Sequence, residues 1–129
     1  MSRQQKWAQA AFEAVREAKA KSDEKKAKSD EKKYGTYCMK LPSLLLQSGL
    51  VQTTAFLRSR GEPAADLFLD DVAKVLEDSS KATGRDLDAK ARKASLPDYL
   101  RLSRDALHVA SWFRRFAQTE LEVSPDEVL

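Results

Sequence analysis

The stretch KLPSLLLQSGLVQTTAFLRSRG, from Lys40 to Gly61, contains no acidic residue in a chain where 33% of residues are charged. Leu41, Leu44, Leu45, Leu46, Leu50, Val51, Ala55, Phe56 and Leu57 crowd into it before it ends at the basic pair Arg58 and Arg60. Surface this apolar must leave water, so the segment is core with a basic exit. Pro42 presets the backbone for a first helical turn, and Gly49 can take the left-handed conformation that ends a helix. The segment reads as two short helices bent at Gly49 and buried on most sides. Its hydroxyls have no His, Asp or Glu in the segment to activate them, so it offers no catalysis.

The rest of the chain builds helices around that core. Only four Gly and four Pro punctuate 129 residues, a length that suits one domain over 1–129. A first helix starts near Gln4 and carries Trp7, Ala11, Phe12, Ala14, Val15 and Ala18 at spacings of three and four. The heptapeptide AKSDEKK then occurs twice in succession across residues 20–33. One such insertion turns a helix's downstream face by only ~20°, so a single longer helix could absorb it. Being polar on nearly every side, it is expected outside the core, as a protruding helix or a mobile loop.

Gly61-Glu62-Pro63 breaks the chain, and Leu67, Phe68, Val72, Val75 and Leu76 mark one face of the next helix. Ser79 to Asp88, polar with Gly84 inside, reads as a loop or frayed end. Ser95-Leu96-Pro97-Asp98 is a helix start, with a hydroxyl cap, a first-turn proline and an acid near the positive dipole end. The last helix then shows Tyr99, Leu102, Ala106, Val109, Phe113 and Phe116 in alternating steps of three and four, a seam that must pack on other helices. No segment has the period-two alternation of a half-buried strand. The predicted fold is all-α, a compact bundle of about five to six helices, with Phe56, Leu107 and Phe113 in its core.

Charge is distributed in blocks. Residues 1–60 hold 13 basic and 6 acidic side chains (+7), residues 61–90 hold 4 and 8 (−4), and residues 91–117 hold 6 and 2 (+4). The acidic tail at 118–129 adds four acids and no base, which closes the total at +3. Blocks of opposite sign on one small body favour heterologous contacts, so weak, head-to-tail, salt-sensitive self-association is expected. No run reaches the roughly eighteen apolar residues of a membrane span, and the N-terminus MSRQQKWAQAAFEAVREAK lacks the apolar region of a secretory signal. A lone cysteine, Cys38, cannot form an internal disulfide and suits a reducing cytoplasm. The chain is read as cytoplasmic, with no membrane partner.

The candidate chemistry is sparse. His108 is the only histidine, and a Ser–His–acid system or a multi-histidine metal site would need it; between Leu107 and Val109 it is expected to pack, partly buried. Cys38 is expected to act as a small hydrophobe. Asp70, Asp71, Asp86 and Asp88 could be imagined as carboxylates around a divalent ion, but adjacent helical positions point about 100° apart. The expectation is no catalytic residue, no metal and no cofactor. The arginines have the better claim: Arg58 and Arg60, Arg101 and Arg104 one turn apart, and Arg114 and Arg115 beside Trp112 and Phe113. Guanidinium forks suit phosphate oxygens, and planar side chains can stack on bases.

LPSLLLQSGLVQTTAFLRSRG resembles the central signature of the small helical subunit, the fifth, of the type III-B CRISPR RNA-targeting assembly, the Cmr complex. The matching elements are Leu41-Pro42, Gly49-Leu50, Gln52-Thr53 and Ala55-Phe56-Leu57. YLRLSRDALHVASWFRRFAQ is similar to that family's C-terminal helix in Tyr99, Ala106-Leu107 and the run from Trp112 to Ala117; Trp7-Ala8 and Val15 match less specifically. The duplicated AKSDEKK departs from the family pattern. The resemblance implies a non-catalytic subunit of an antiviral ribonucleoprotein, stacked along its backbone beside other Cmr subunits and flanking guide RNA–target RNA. Two other readings stand beside it: a helical protein–protein adaptor that never meets RNA, and a small metal-dependent nuclease using Asp70, Asp71, Asp86 or Asp88.

Overall fold

A computed structural model describes residues 1–20, 25–121 and 123. Among these residues five helices follow one another: α1 (Arg3–Ala20), α2 (Lys25–Ser59), α3 (Pro63–Glu77), α4 (Gly84–Lys93) and α5 (Leu96–Glu120). Among the described residues there is no strand, and the fold is all-α.

Helix α2 is not a straight rod. Gly49 has φ 80° and ψ 170°, a region essentially reserved for glycine. Along a straight helix the 23 residues from Tyr37 to Arg60 would span about 34 Å, yet Arg60 Nε donates to the Tyr37 hydroxyl at 3.2 Å. The helix therefore doubles back at Gly49, and its N-arm (25–48) and C-arm (50–59) lie side by side. Thr53 Oγ1 fastens the fold-back, 2.7 Å from the Gly49 carbonyl and 3.1 Å from that of Leu44. The Val51 N–H, left without a partner in its own arm by the reversal, donates to the Tyr99 hydroxyl at 3.2 Å. Counted by arms, the described residues form six rods.

The expected bend is thus present and sharper than a kink, but two expectations for this segment need correction. Pro42 does not open a helix; it lies inside the N-arm, where it deprives the Cys38 carbonyl of its usual N–H partner. The neighbouring Met39 carbonyl accepts from Arg114 Nη1 at 2.8 Å. Nor is the segment enclosed on most sides. Leu41, Leu45, Leu50 and Leu57 are buried, whereas Leu46 is 73% exposed, because it points about 100° away from Leu45 around the helix.

Cross-contacts set the directions. Arg3 pairs with Asp105, Phe12 meets Phe116 and Arg16 pairs with Glu120, so α1 runs parallel to α5. Arg114 reaches Met39 while Tyr99 reaches Val51, so the N-arm runs antiparallel to α5. With α1 and the N-arm opposed, the duplicated heptapeptide does not prolong one helix. Its second copy lies in the first turns of α2; positions 21–24 of the first copy, and 122 and 124–129 of the acidic tail, lie outside the described residues.

The core sits between α5, α3 and both arms of α2. Phe68 of α3 occupies its centre, edge-on to Tyr34 and Phe113 and stacked with Tyr37. On α1 the buried set is Trp7, Ala11, Val15 and Ala18, and on α5 it includes Leu102, Ala106, Val109, Phe113 and Ala117, both as the three-and-four spacing requires. Phe113 and Cys38 are fully buried. Phe56 and Leu107, expected in the core, are only half-buried and flank it; the Arg60 guanidinium lies over the Phe56 ring at 5.6 Å. The burial of Tyr34 pushes its hydroxyl's pKa up, which keeps it the donor in a 2.7 Å hydrogen bond to Asp71 Oδ2.

The polar stretch from Ser79 to Asp88, expected as a loop, contains the start of α4. Thr83 and Asp86 form a reciprocal capping box, with aspartate in the role usually taken by Glu or Gln. Glycine is required at position 84 by proximity, since a Cβ there would lie 2.7 Å from Leu69 Cγ. The Gly84 N–H donates to Asp70 Oδ1 at 2.6 Å. Ser95 caps α5 as its sequence indicates, accepting from the Asp98 N–H.

Candidate nucleic-acid interface

Helix α5 turns its apolar seam inward, and the opposite face carries Arg101, Arg104, His108, Ser111 and Arg115, all exposed. Successive steps of three and four residues keep these side chains within one sector of the helix. Arg101 Nη1 touches Asp98 Oδ1 at 3.3 Å, an exposed pair one turn away, and such pairs hold weakly in water. Arg104 and Arg115 make no ion pair among the described residues. His108 is exposed rather than partly buried; its Nδ1 lies 3.0 Å from Gln4 Nε2, and its ring is tilted against Trp7. Adjacent positions diverge on a helix, so Arg114 leaves this stripe and turns to the Met39 carbonyl.

The other two candidate arginines part company in the same way. Arg60 folds back onto Tyr37, pairs with Glu62 at 2.9 Å and covers Phe56. Arg58 crosses to α4, where its Nη1 bonds Asp88 Oδ2 at 2.5 Å. Asp88 is the most enclosed carboxylate of this group, with a side chain only 6% exposed. It also accepts from Thr54 Oγ1 at 2.9 Å and from Arg92 Nε at 3.4 Å. Burial works to raise its pKa, but the hydrogen bonds from Thr54 and Arg58 and the charges of Arg58 and Arg92 outweigh it. The carboxyl is held below its ordinary value and stays ionised.

The four aspartates considered as metal ligands are dispersed over separate tasks. Asp70 accepts from the Gly84 N–H, Asp71 from Tyr34, Asp86 caps α4 and Asp88 binds the two arginines. Among the described residues no three or more His, Cys, Asp or Glu side chains group as a metal site. No described helix is long and apolar enough to cross a membrane.

Sequence reasoning missed Arg92, and weighed Asp88 only as a metal ligand where it anchors two arginines. Asp88 lies in a stretch that looked like a loop, and its partners Thr54 and Arg58 are 34 and 30 residues away in the chain. The one available signal was Asp88 and Arg92 at helical spacing, four residues apart.

Both the sequence and the all-helical fold are matched by known proteins. The family model described as CRISPR-associated protein (Cas_Cmr5) matches residues 3–120. The CRISPR system Cmr subunit Cmr5 of Thermus thermophilus is 43% identical over 121 residues, covering 94% of this chain and 97% of the relative. The crystal structure of a CRISPR-associated Cmr5 family protein from Thermus thermophilus superposes with a TM-score of 0.80 at 41% identity, over 92% of this chain and 96% of that one. With the family model spanning α1 to the end of α5 and the fold shared at this identity, the chain belongs to the Cmr5 family of CRISPR Cmr-complex subunits.

Proposed function

We propose that the chain acts as the non-catalytic small subunit of a type III-B Cmr ribonucleoprotein, stacking along its backbone and steadying guide RNA–target RNA through phosphate contacts. The observation that carries this reading is the alignment of Arg101, Arg104 and Arg115 on one exposed face of α5, a stripe about 21 Å long. Guanidinium donors on a rigid helix suit a row of phosphates, and phosphate contacts position a strand without reading it. Arg58 adds a cation apart from this stripe, on the C-arm beside α4. Arg60 and Arg114 first serve the fold, at Tyr37 and Met39, and add charge to the surface they leave. The four aspartates are committed to hydrogen bonds and caps that hold the fold, which supports a reading in which another subunit cuts the target.

The test is charge reversal in the assembled complex. Arg104→Glu and Arg115→Glu, at exposed positions, should leave assembly intact and lower target affinity equally across sequences. Each lost phosphate contact should reduce the log–log salt slope by ~0.7 for a single strand. Normal assembly with affinity and slope untouched in the double variant would leave a scaffold that touches only protein, the adaptor reading.

Copies of the chain should also associate weakly, head to tail. The arginine face of α5 has an acidic counterpart in the groove between α1 and α3, lined by Glu13, Glu17, Asp71 and Asp78 around Lys74. A contact between two different faces does not close on itself, and salt should screen it. Sedimentation velocity should show a small, concentration-dependent shift that vanishes at high ionic strength. A tight symmetric dimer indifferent to salt is the contrary result.

A further inference from the structure

We propose that the seam between the α2 C-arm and α4 is a second phosphate-binding site, in which Arg58, Arg92 and Arg85 engage an RNA strand and Asp88 is the positioning residue that holds the first two. The inference rests on the RNA-contacting reading above and adds Arg85 and Arg92 to it.

The geometry is that of a clamp with its open side to solvent. Asp88 is 6% exposed, while Arg58 and Arg92, both bonded to its Oδ2, are 38% and 51% exposed. Arg58 spends Nη1 on the carboxylate and Arg92 spends Nε. The donors left on each fork, Nη2 and Nε of Arg58 and both Nη groups of Arg92, remain for an oxyanion. Thr54 fixes the other carboxylate oxygen, Oδ1, from the C-arm, so the anchor cannot swing. Two long side chains are thereby ordered before any ligand arrives, which lowers the cost of ordering them on binding.

Arg85 extends the site along α4. It lies seven residues before Arg92, so the two face the same way about 10 Å apart along the axis. It is exposed and has no ion-pair partner among the described residues. It also stands in the first turn of α4, the positive end of the helix dipole, where a cation is unfavourable. Helix stability does not account for it. Three arginines against one carboxylate leave the seam with a net charge of +2.

The test uses the full chain and a fluorescein-labelled single-stranded RNA of mixed sequence, followed by anisotropy over a salt series. Arg92→Gln and Arg85→Gln should each flatten the log–log slope by ~0.7 with only a small change in the thermal midpoint, since the ion pair and the dipole term they alter are weak at exposed positions. Arg92→Lys should restore the slope but not the full affinity, since an ammonium lacks the fork. Asp88→Asn separates positioning from simple charge. It raises net charge by one, so a carboxylate that only dampened the field would, when removed, strengthen binding; a positioning carboxylate, when removed, weakens it.

Tighter binding by Asp88→Asn, or unchanged slopes in both Gln variants, overturns the proposal. So does an Arg92→Gln effect on self-association with none on RNA, which would assign the seam to a protein contact. Should Asp88→Asn fail to fold, the two Gln variants decide. If the wild-type chain and the assembled complex show no salt-dependent RNA binding, the RNA reading falls and the seam with it. If they do, and Arg104→Glu acts as expected while Arg92→Gln and Arg85→Gln match wild type, the seam alone is wrong.

Discussion

Replacing Phe113 with alanine is expected to lower the unfolding free energy by about 3–5 kcal/mol, the usual loss for a buried phenylalanine. Phe113 is fully enclosed and meets Phe68 edge-on at a centroid distance of 5.6 Å. Phe68 in turn touches Tyr34 and Tyr37 of the N-arm. One ring thus joins α5 to α3 and, through it, to α2, and its Phe68 partner is itself held by Tyr34 and Tyr37. A domain of this size has only about 5–15 kcal/mol to lose, so the thermal midpoint should fall by roughly 10–20 °C. Urea unfolding should show a lower midpoint at unchanged slope. Phe56→Ala, at a half-buried position beneath Arg60, should cost clearly less. Equal losses at the two sites, or none at Phe113, would contradict the packing described.

The second large effect is expected at Gly49. Its φ of 80° with ψ of 170° is a conformation that side chains resist, at a cost of about 1–3 kcal/mol. Gly49→Ala does not clash, because the new Cβ would lie 3.5 Å from the Tyr99 hydroxyl, an ordinary contact. The penalty comes from the backbone. If the backbone relaxes toward the helical region to escape it, the arms can no longer lie side by side. The Thr53 bonds to Leu44 and Gly49, and the Tyr99 bond to Val51, would be lost with them. Ser48→Ala, at the exposed position just before, should change little, and its difference from Gly49→Ala in urea unfolding isolates the dihedral. Equal stability of the two variants would mean that the reversal does not depend on glycine.

Where burial follows period alone, the sequence was legible. Trp7, Ala11, Val15 and Ala18 on α1, and Leu102, Ala106, Val109 and Phe113 on α5, are buried as their spacing demands. Gly49 was legible as a bend because positive φ selects glycine, though its depth was not, since that depends on Tyr37, Thr53 and Tyr99 arriving from elsewhere. Pro42 misled because a proline in a first turn and one tolerated inside a helix look alike in sequence. Leu46 and Phe56 misled because an apolar residue declares its own preference and not which neighbour will cover it. In the candidate interface, the spacing of Arg101 and Arg104 could be read directly. The Asp88 clamp could not, because its polar residues come from two helices and only the folded chain brings them together.

The placement of α1 has a consequence for synthesis. The helix packs chiefly on α5, and its first anchor, Arg3 on Asp105, joins residues 102 apart. The α2 hairpin, by contrast, closes between residues 9 to 23 apart, and short loops close at less entropic cost than long ones. On a ribosome the hairpin can therefore close soon after Arg60 emerges. Helix α1 leaves the tunnel well before α5 and must keep Trp7, Ala11 and Val15 in water until that helix is made. Its small alanines and exposed flanks of Arg3, Lys6, Glu13 and Arg16 suit a segment that must wait for its partner.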